Sequence, residues 1–442
     1  MAEVPESSPP ARSRLFMRLV GVMLLLPFLF EIGLRFLSPH ALDYYRKVKL
    51  LHRYHPEYNV TLAPNEDLYI RHFHGVWEGR FTMNSLGFRG SPEPDATRPQ
   101  VACLGDSLVM GFGVSDEETF CHQLSGVRLG DGTEAQALNL GVDAFGSLGS
   151  ALRLKEAVEQ PGVDLNVALF FPSPNDFTIP PALAEQGVVP DDITDAVRYN
   201  DENYKFWFRL QFEATRYSYF LMALKLSLEQ LRVRWTITRG AIKDELTRAG
   251  FLGEGPFFAR LGSYLTDAFY RGAPPPPAPT PEPAVAPTCP EPLPSYMKPC
   301  VDAQPDPRSL PPLLDVTVKA YDSMLATARA KDFQLVVVLL PIQAETLYCK
   351  NLGQYSDFFD FGLRAARYFE ARDVPVIDLR DYIPRMCGPW ELAGPDGTPR
   401  TEHKFIRDFF IPGDGHLTVL GNQWAAEAIR IELERLSGEG RL

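Results

Sequence analysis

Five short runs of mostly apolar residues recur along the chain, at Gln100–Leu104, Ala135–Leu140, Asn166–Phe171, Leu335–Leu340 and Val374–Leu379. Each is too short for a helix and none alternates cleanly with polar residues, which is the pattern of strands buried on both faces of a parallel sheet. Between them the apolar spacing shifts to the helical period, at about Ser147–Glu159, Asp315–Lys331 and Phe358–Ala371, and it does so again at Gly421–Leu436. Met110–Leu124 carries a further helical pattern directly after the first run. Strands alternating with helices predict an α/β fold whose sheet is covered on both faces.

Right-handed crossovers limit how such strands can be ordered, and the expected result is a flavodoxin-like three-layer α/β/α arrangement around a five-stranded parallel sheet. Residues 99–180 and 315–438 would form this core, and residues 41–98, aromatic and polar by turns, an extended strap packed on it. Between them, residues 181–314 make a long insertion, partly helical and partly proline-rich. Tyr217, Phe220, Leu221, Leu224, Leu228 and Leu231 recur at helical spacing, so that segment is expected to pack on the core, with a membrane surface as the alternative. Tyr204, Phe206, Trp207 and Phe208 suit either core packing or stacking on sugar faces. From Ala273 to Pro312 lie 16 of the 40 prolines, which precludes regular helix or central strand.

The amino terminus reads as a targeting element. Leu19–Phe30 is uninterruptedly apolar and extends to Leu37 through Glu31 and Arg35, a pair four residues apart. With no small-x-small cleavage site after it, the expectation for residues 1–40 is a cytoplasmic tail and an uncleaved transmembrane helix spanning 19–37. Arg12, Arg14 and Arg18 precede the segment, but Arg35, Arg46, Lys47, Lys49 and Arg53 follow it, so basic residues do not set its orientation.

Composition narrows the function classes. The 442 residues are 45% hydrophobic and 23% charged, enough for a large core, and the net charge of −12 with a pI near 5.3 argues against nucleic acid as a partner. Six cysteines suggest an oxidising compartment, with Cys289–Cys300 and Cys349–Cys387 as candidate pairs and Cys103 as a small buried hydrophobe. Unpaired cytosolic thiols are the alternative. His72 and His74 lack a companion cluster and read as surface residues of a strand, so no metal ligands are expected.

Candidate chemistry gathers where the first run ends. Val101-Ala102-Cys103-Leu104 stops at Gly105-Asp106-Ser107, a sharp strand-to-helix junction at the edge where open α/β sheets keep their sites, and this makes Ser107 the candidate nucleophile. Val109 stands where an α/β-hydrolase elbow needs glycine, and neither a phosphate-binding glycine loop nor a paired-histidine zinc helix is present.

Gly105-Asp106-Ser107-Leu108 resembles the signature block of the GDSL, or SGNH, hydrolases, in their membrane-anchored bacterial form. Three further stretches resemble the remaining blocks in order: Asn139-Leu140-Gly141-Val142-Asp143-Ala144, Pro172-Ser173-Pro174-Asn175-Asp176, and Asp414-Gly415-His416-Leu417. Met83-Asn84-Ser85-Leu86-Gly87-Phe88-Arg89 resembles a lead-in found before the first block. The resemblance implies Ser107 as nucleophile, His416 as its base and Asp414 as the orienting acid, with an oxyanion hole formed by the N–H groups of Ser107 and Ala144 and the side chain of Asn175. Ala144 replaces the usual glycine, and Asp414 stands two residues before the histidine where the family has three. The implied function is a cofactor-free serine esterase in a bacterial inner membrane, its catalytic domain extracytoplasmic, removing an acyl group, acetyl above all, from an envelope glycan or lipid. The alternatives are O-acyl transfer to a surface polysaccharide and a degenerate glycan-binding protein.

Overall fold

The structure is a computed structural model that describes residues 11–56, 59–130, 132–143, 145–173, 202–228, 230–231, 300–342, 344–393, 398–412 and 415–442. Ala144, Asn175, Asp414, Cys289, the side chain of Tyr204 and most of the 181–314 insertion fall outside this set. The chain divides into two units, Met1–Leu42 with Ala214–Pro287 and Asp43–Glu213 with Thr288–Leu442.

In chain order the helices are α1 (Ala11–Leu37), α2 (His40–Leu50), α3 (Ser107–Met110), α4 (Phe120–Gln123), α5 (Ser147–Ala157), α6 (Glu202–Tyr217), α7 (Tyr219–Leu228), α8 (Asp315–Lys331), α9 (Ala344–Asn351), α10 (Asp360–Glu370) and α11 (Val419–Gly438). The strands are β1 (His52–His55), β2 (Asn59–Leu62), β3 (Asp67–Arg71), β4 (Glu78–Thr82), β5 (Gln100–Leu104), β6 (Arg128–Leu129), β7 (Thr133–Glu134), β8 (Gln136–Asn139), β9 (Val167–Phe170), β10 (Gln334–Leu339), β11 (Val376–Asp378), β12 (Gly388–Ala393) and β13 (Pro399–Lys404).

Five of these strands form one parallel sheet in the order β11-β10-β9-β5-β8. Numbered along the chain, that is 2-1-3-4-5, with the order reversing between β5 and β9. Val101 sits between Ala137 and Val167, and Val337 between Phe170 and Val376. Successive residues of a strand point to opposite faces, so the sheet carries two cores. Val101, Cys103, Val167, Leu169, Val336 and Val338 pack with Phe120 and Cys121 of α4, Leu347 of α9 and Trp424, Ile429 and Leu433 of α11. Ala102, Leu104, Ala168, Phe170, Val337 and Leu339 pack with Leu154 of α5, Tyr321 and Met324 of α8 and Phe369 of α10. Each fully buried large apolar side chain contributes about 1.5–3 kcal/mol, so the absence of polar alternation in these strands follows from burial on both sides.

Several expectations are corrected. Met110–Leu124 is not one helix: Gly111 (φ 77) caps α3 and Gly113 (φ 100) keeps the chain out of helix until Asp116–Glu118 and α4. Left-handed backbone at two positions interrupts a pattern whose apolar spacing alone reads as continuous. The strap opens with a helix, α2, before the antiparallel pairs β1–β2 and β3–β4. Cys300 pairs with Cys349 and Cys103 with Cys121, replacing both expected pairings and the free Cys103, and Cys387 is bonded as well. His72 and His74 lie in the turn joining β3 and β4, and no metal-binding group of His, Cys, Asp or Glu occurs among the described residues.

The helical stripe of the insertion is exposed. Tyr217, Leu221, Leu224, Leu228 and Leu231 are exposed, while Tyr219 and Met222, on the other side of α7, are buried. Phe206 and Trp207 are exposed too, whereas Phe208 packs on Tyr54 and Phe212. Among the described residues no single helix passes as long and apolar enough to cross a membrane; Gly21–Leu37 and His40–Leu50 pass together, bent by 96°.

The Cys300–Cys349 bond closes 49 residues of sequence and ties the return from the insertion to α9. Peptide mapping without reductant should recover this pair and Cys103–Cys121. Cys300→Ser should lower the unfolding free energy by about 2–4 kcal/mol, and an unchanged denaturation midpoint would refute that bond.

Candidate active site

The site is built at the carboxyl ends of β5 and β8. β5 is buried at all five positions and delivers Gly105 to a turn where a Cβ would lie 2.5 Å from Val109 Cγ2 and 3.3 Å from Phe171. Only glycine lets the chain turn that tightly. Asp106 then caps α3, its carboxylate accepting from the Leu108 N–H at 3.0 Å, and Ser107 opens the helix. The turn at the end of β8 presses on the same helix, because a Cβ on Gly141 would lie 2.3 Å from the Met110 nitrogen. Asn139 fixes the approach: its amide donates to the Val109 carbonyl at 2.8 Å and accepts from the Gly141 N–H at 3.0 Å.

Behind the helix lies Arg89, whose side chain is 1% exposed and pairs with Asp116 at 2.5 Å. It donates to the carbonyls of Met110 (3.1 Å), Gly111 (3.2 Å), Val114 (2.7 Å) and Arg80 (3.3 Å), and its guanidinium lies 3.8 Å from the Phe81 ring centre. The carbonyls of Met110, Gly111 and Val114 belong to the end of α3 and the loop that leaves it in left-handed turns, and so have few helical partners, while that of Arg80 belongs to β4. Arg89 satisfies them and fixes the loop. Sequence reading assigned no role to Arg89 or Asn139, although both stand inside the quoted stretches; a signal was available in the arginine that ends Asn84–Arg89, since a guanidinium beside apolar residues needs acceptors.

His416 arrives from the far end of the chain on a tight loop. Ile411 N–H donates to the His416 carbonyl at 2.7 Å, Thr418 N–H to that of Phe409 at 3.0 Å, and the Thr418 hydroxyl caps α11. The loop sets His416 Nε2 2.8 Å from Ser107 Oγ, with the Phe112 ring 5.4 Å from the imidazole. Of the residues expected at the site, Ser107 and His416 are thus brought together across 309 positions of sequence. Asp414, Ala144 and Asn175 lie outside the described residues.

Asp106 is 7% exposed, and burial pushes its carboxyl above the ordinary value. The Leu108 N–H, the imidazole of His416 and the Ser173 hydroxyl oppose that push, and Asp143 adds to it. A hydroxyl bonded to imidazole at this distance can pass its proton to Nε2 and attack an electrophilic carbonyl.

No family model matches the chain, and no curated protein matches it. Among solved structures, a Bacteroides fragilis protein described as a candidate acylhydrolase aligns over 78% of this chain and 91% of its own, at 11% identity and a TM-score of 0.30. A likeness that distant adds nothing to the geometry.

Two measurements test this reading of the site. Arg89→Met should cost about 3–5 kcal/mol, because it strands Asp116 and the loop carbonyls; a loss under about 1 kcal/mol in urea denaturation would show that the loop holds itself. Asp106 keeps its proton to a higher pH folded than the 3.8 of the free group. The native state therefore binds more protons than the unfolded one above that pH, and this carboxyl makes stability fall as pH rises. Asp106→Asn, whose amide oxygen still accepts from Leu108, should gain stability relative to wild type as pH rises from 3.8 and show a constant difference below it. The opposite trend would mean that hydrogen bonding outweighs burial.

Proposed function

We propose that the protein is a serine esterase of the SGNH type, with Ser107 as nucleophile and His416 as general base. The observation that carries this reading is the 2.8 Å contact between Ser107 Oγ and His416 Nε2 at the carboxyl end of a central parallel strand. The 2-1-3-4-5 strand order and the two cores support a flavodoxin-like layering, in which ligands bind where the order reverses, and that point lies between β5 and β9. Asp414 would orient the imidazole, and the N–H groups of Ser107 and Ala144 with the Asn175 amide would receive the oxyanion.

In the proposed reaction His416 takes the Ser107 proton as Oγ attacks the ester carbonyl. The tetrahedral oxyanion collapses, His416 returns the proton to the departing alkoxide, and an acyl-Ser107 ester remains. Water, deprotonated by the same imidazole, attacks the acyl carbonyl, and the imidazolium returns that proton to Ser107 Oγ as the acid is released. The substrate class is an O-acetylated glycan or acylated lipid of a bacterial envelope. α1, with apolar side chains exposed between Val22 and Leu37, would anchor the chain in the inner membrane, and the disulfides Cys103–Cys121 and Cys300–Cys349 suit an extracytoplasmic catalytic unit.

One observation favours transfer to a sugar hydroxyl in place of hydrolysis. Aromatic rings run on from His416 through Phe112 and Trp77 (5.1 Å) to His72 (5.6 Å), Phe73 (4.4 Å) and the exposed Tyr45 (5.7 Å). Trp77 is buried in the core beneath this run, and the half-buried Phe73 with the exposed Tyr45 can offer apolar faces to an acceptor sugar, while Phe112 displaces water beside the imidazole.

A fluorophosphonate probe should label the wild-type protein and neither Ser107→Ala nor His416→Ala, with hydrolysis of a short aryl ester falling by at least about three orders of magnitude in both. Labelling that survives Ser107→Ala moves the nucleophile elsewhere; an unlabelled but folded wild-type protein leaves the degenerate glycan-binding reading. Incubation with an acyl donor and oligosaccharides decides the second point: a Ser107-dependent mass gain of one acyl group on the sugar makes the enzyme a transferase.

A further inference from the structure

Within the unit formed by Met1–Leu42 and Ala214–Pro287, two helices distant in sequence meet at a charge. Glu31 lies on α1, in an otherwise apolar stretch, and its side chain is 19% exposed. One carboxylate oxygen accepts from the Ser218 hydroxyl (2.8 Å) and the Phe220 N–H (2.8 Å), the other from the Tyr219 N–H (3.3 Å) and Arg35 Nε (2.6 Å). Arg35 also donates to the Tyr217 carbonyl at 2.6 Å, and Ser218 Oγ accepts from the Leu221 N–H at 3.1 Å. Glu31 therefore caps the first turn of α7, where the backbone has free N–H groups and the helix dipole favours a negative charge. Phe30 of α1 meets Phe220 with ring centres 6.3 Å apart.

Both helices are apolar on the outside. On α1, Val22, Met23, Leu25, Leu26, Phe28 and Leu29 are each 49–69% exposed, and at 100° per residue they span about 220° of the helix, leaving out the sector that holds Glu31. A protein partner would cover one stripe; an apolar surface this wide suits acyl chains. On α7, exposure is confined to one face, and it rises along the helix from 36% at Leu221 to 57% at Leu228.

We propose that α7 is a second membrane element, held on α1 by the Glu31 cap and lying with Leu221, Leu224, Leu228 and Leu231 among the lipids around the anchor. This rests on the reading of α1 as an anchor. The ten residues of α7 run about 15 Å, half of the roughly 30 Å hydrocarbon core, enough to enter one leaflet. The cap also explains how a glutamate stands in the anchor: three donors and an arginine compensate the desolvation of its charge. Lys225, half-buried on α7, has the reach to bring its ammonium to the headgroups.

The test uses the full chain in phosphatidylcholine–phosphatidylglycerol vesicles, with one cysteine introduced at a time, as Leu29→Cys, Leu228→Cys or Ala371→Cys, and labelled with an environment-sensitive dye. No reductant is needed, since no free cysteine occurs among the described residues. Spin-labelled lipids should quench the dye at least twofold at positions 29 and 228 and leave it unchanged at 371. Adding Glu31→Ala should abolish quenching at 228 and spare it at 29, while Glu31→Gln, which keeps an acceptor oxygen, should retain both. Quenching at 29 but not at 228 in the otherwise unaltered chain overturns the role of α7 and leaves the anchor standing; quenching at neither overturns both. Undiminished quenching at 228 in Glu31→Ala overturns the cap as the element that holds α7 in place.

Discussion

A buried guanidinium must find acceptors for all of its donors, and at Arg89 this requirement shapes the ground on which the Ser107 hydroxyl stands. The chain leaves α3 through Gly111 and Gly113 in left-handed turns, a conformation that gives up helical hydrogen bonds at Met110, Gly111 and Val114. Arg89 takes those carbonyls and answers its own charge with Asp116. Remove the guanidinium and the loop, the carboxylate and the packing on Phe81 lose their partner together; this coupling makes one buried ion pair costlier to break than a surface pair.

The sheet supplies the other half of the constraint. Parallel strands direct their carboxyl ends to one edge, so residues far apart in sequence converge there if each follows its strand without delay. Ser107 follows β5 by three residues and Asn139 ends β8. His416 belongs to no sheet strand; it is placed by a loop whose backbone bonds to Ile411 and Phe409 and whose next residues start α11, itself packed across one core. The 2.8 Å approach of imidazole to hydroxyl depends on the seating of α11 as much as on the turn at Gly105.

The strands were legible because burial on both faces leaves no room for polar alternation, and all five runs became strands of one sheet. That Ser107 and His416 meet was legible from the strand-end position of the serine and from the ordered blocks whose resemblance places a histidine opposite it. Periodicity failed at Met110–Leu124, where two glycines override an apolar spacing that fits a helix. It also misjudged the stripe from Tyr217 to Leu231, since a period identifies a face and not what covers it. Cysteine pairing was illegible for a further reason: Cys300 and Cys349 meet through the path of the insertion, which spacing does not encode.

Glu31 and Arg89 solve one problem with opposite charges. Each lies in apolar surroundings, each is a long side chain whose tip reaches a short helix, and each satisfies backbone groups that the helix end leaves over: N–H groups at the start of α7 for the anion, carbonyls after α3 for the cation. The pairing of sign with helix end follows from the peptide dipole. A neutral residue of the same length would lose both the charge-assisted bonds and the preference for one end. Apolar packing alone lets a short helix rotate or slide on its neighbour; a charged tip bonded to two or three backbone atoms fixes both its axis position and its azimuth. That fixing is needed where a hydroxyl must meet an imidazole within hydrogen-bond reach.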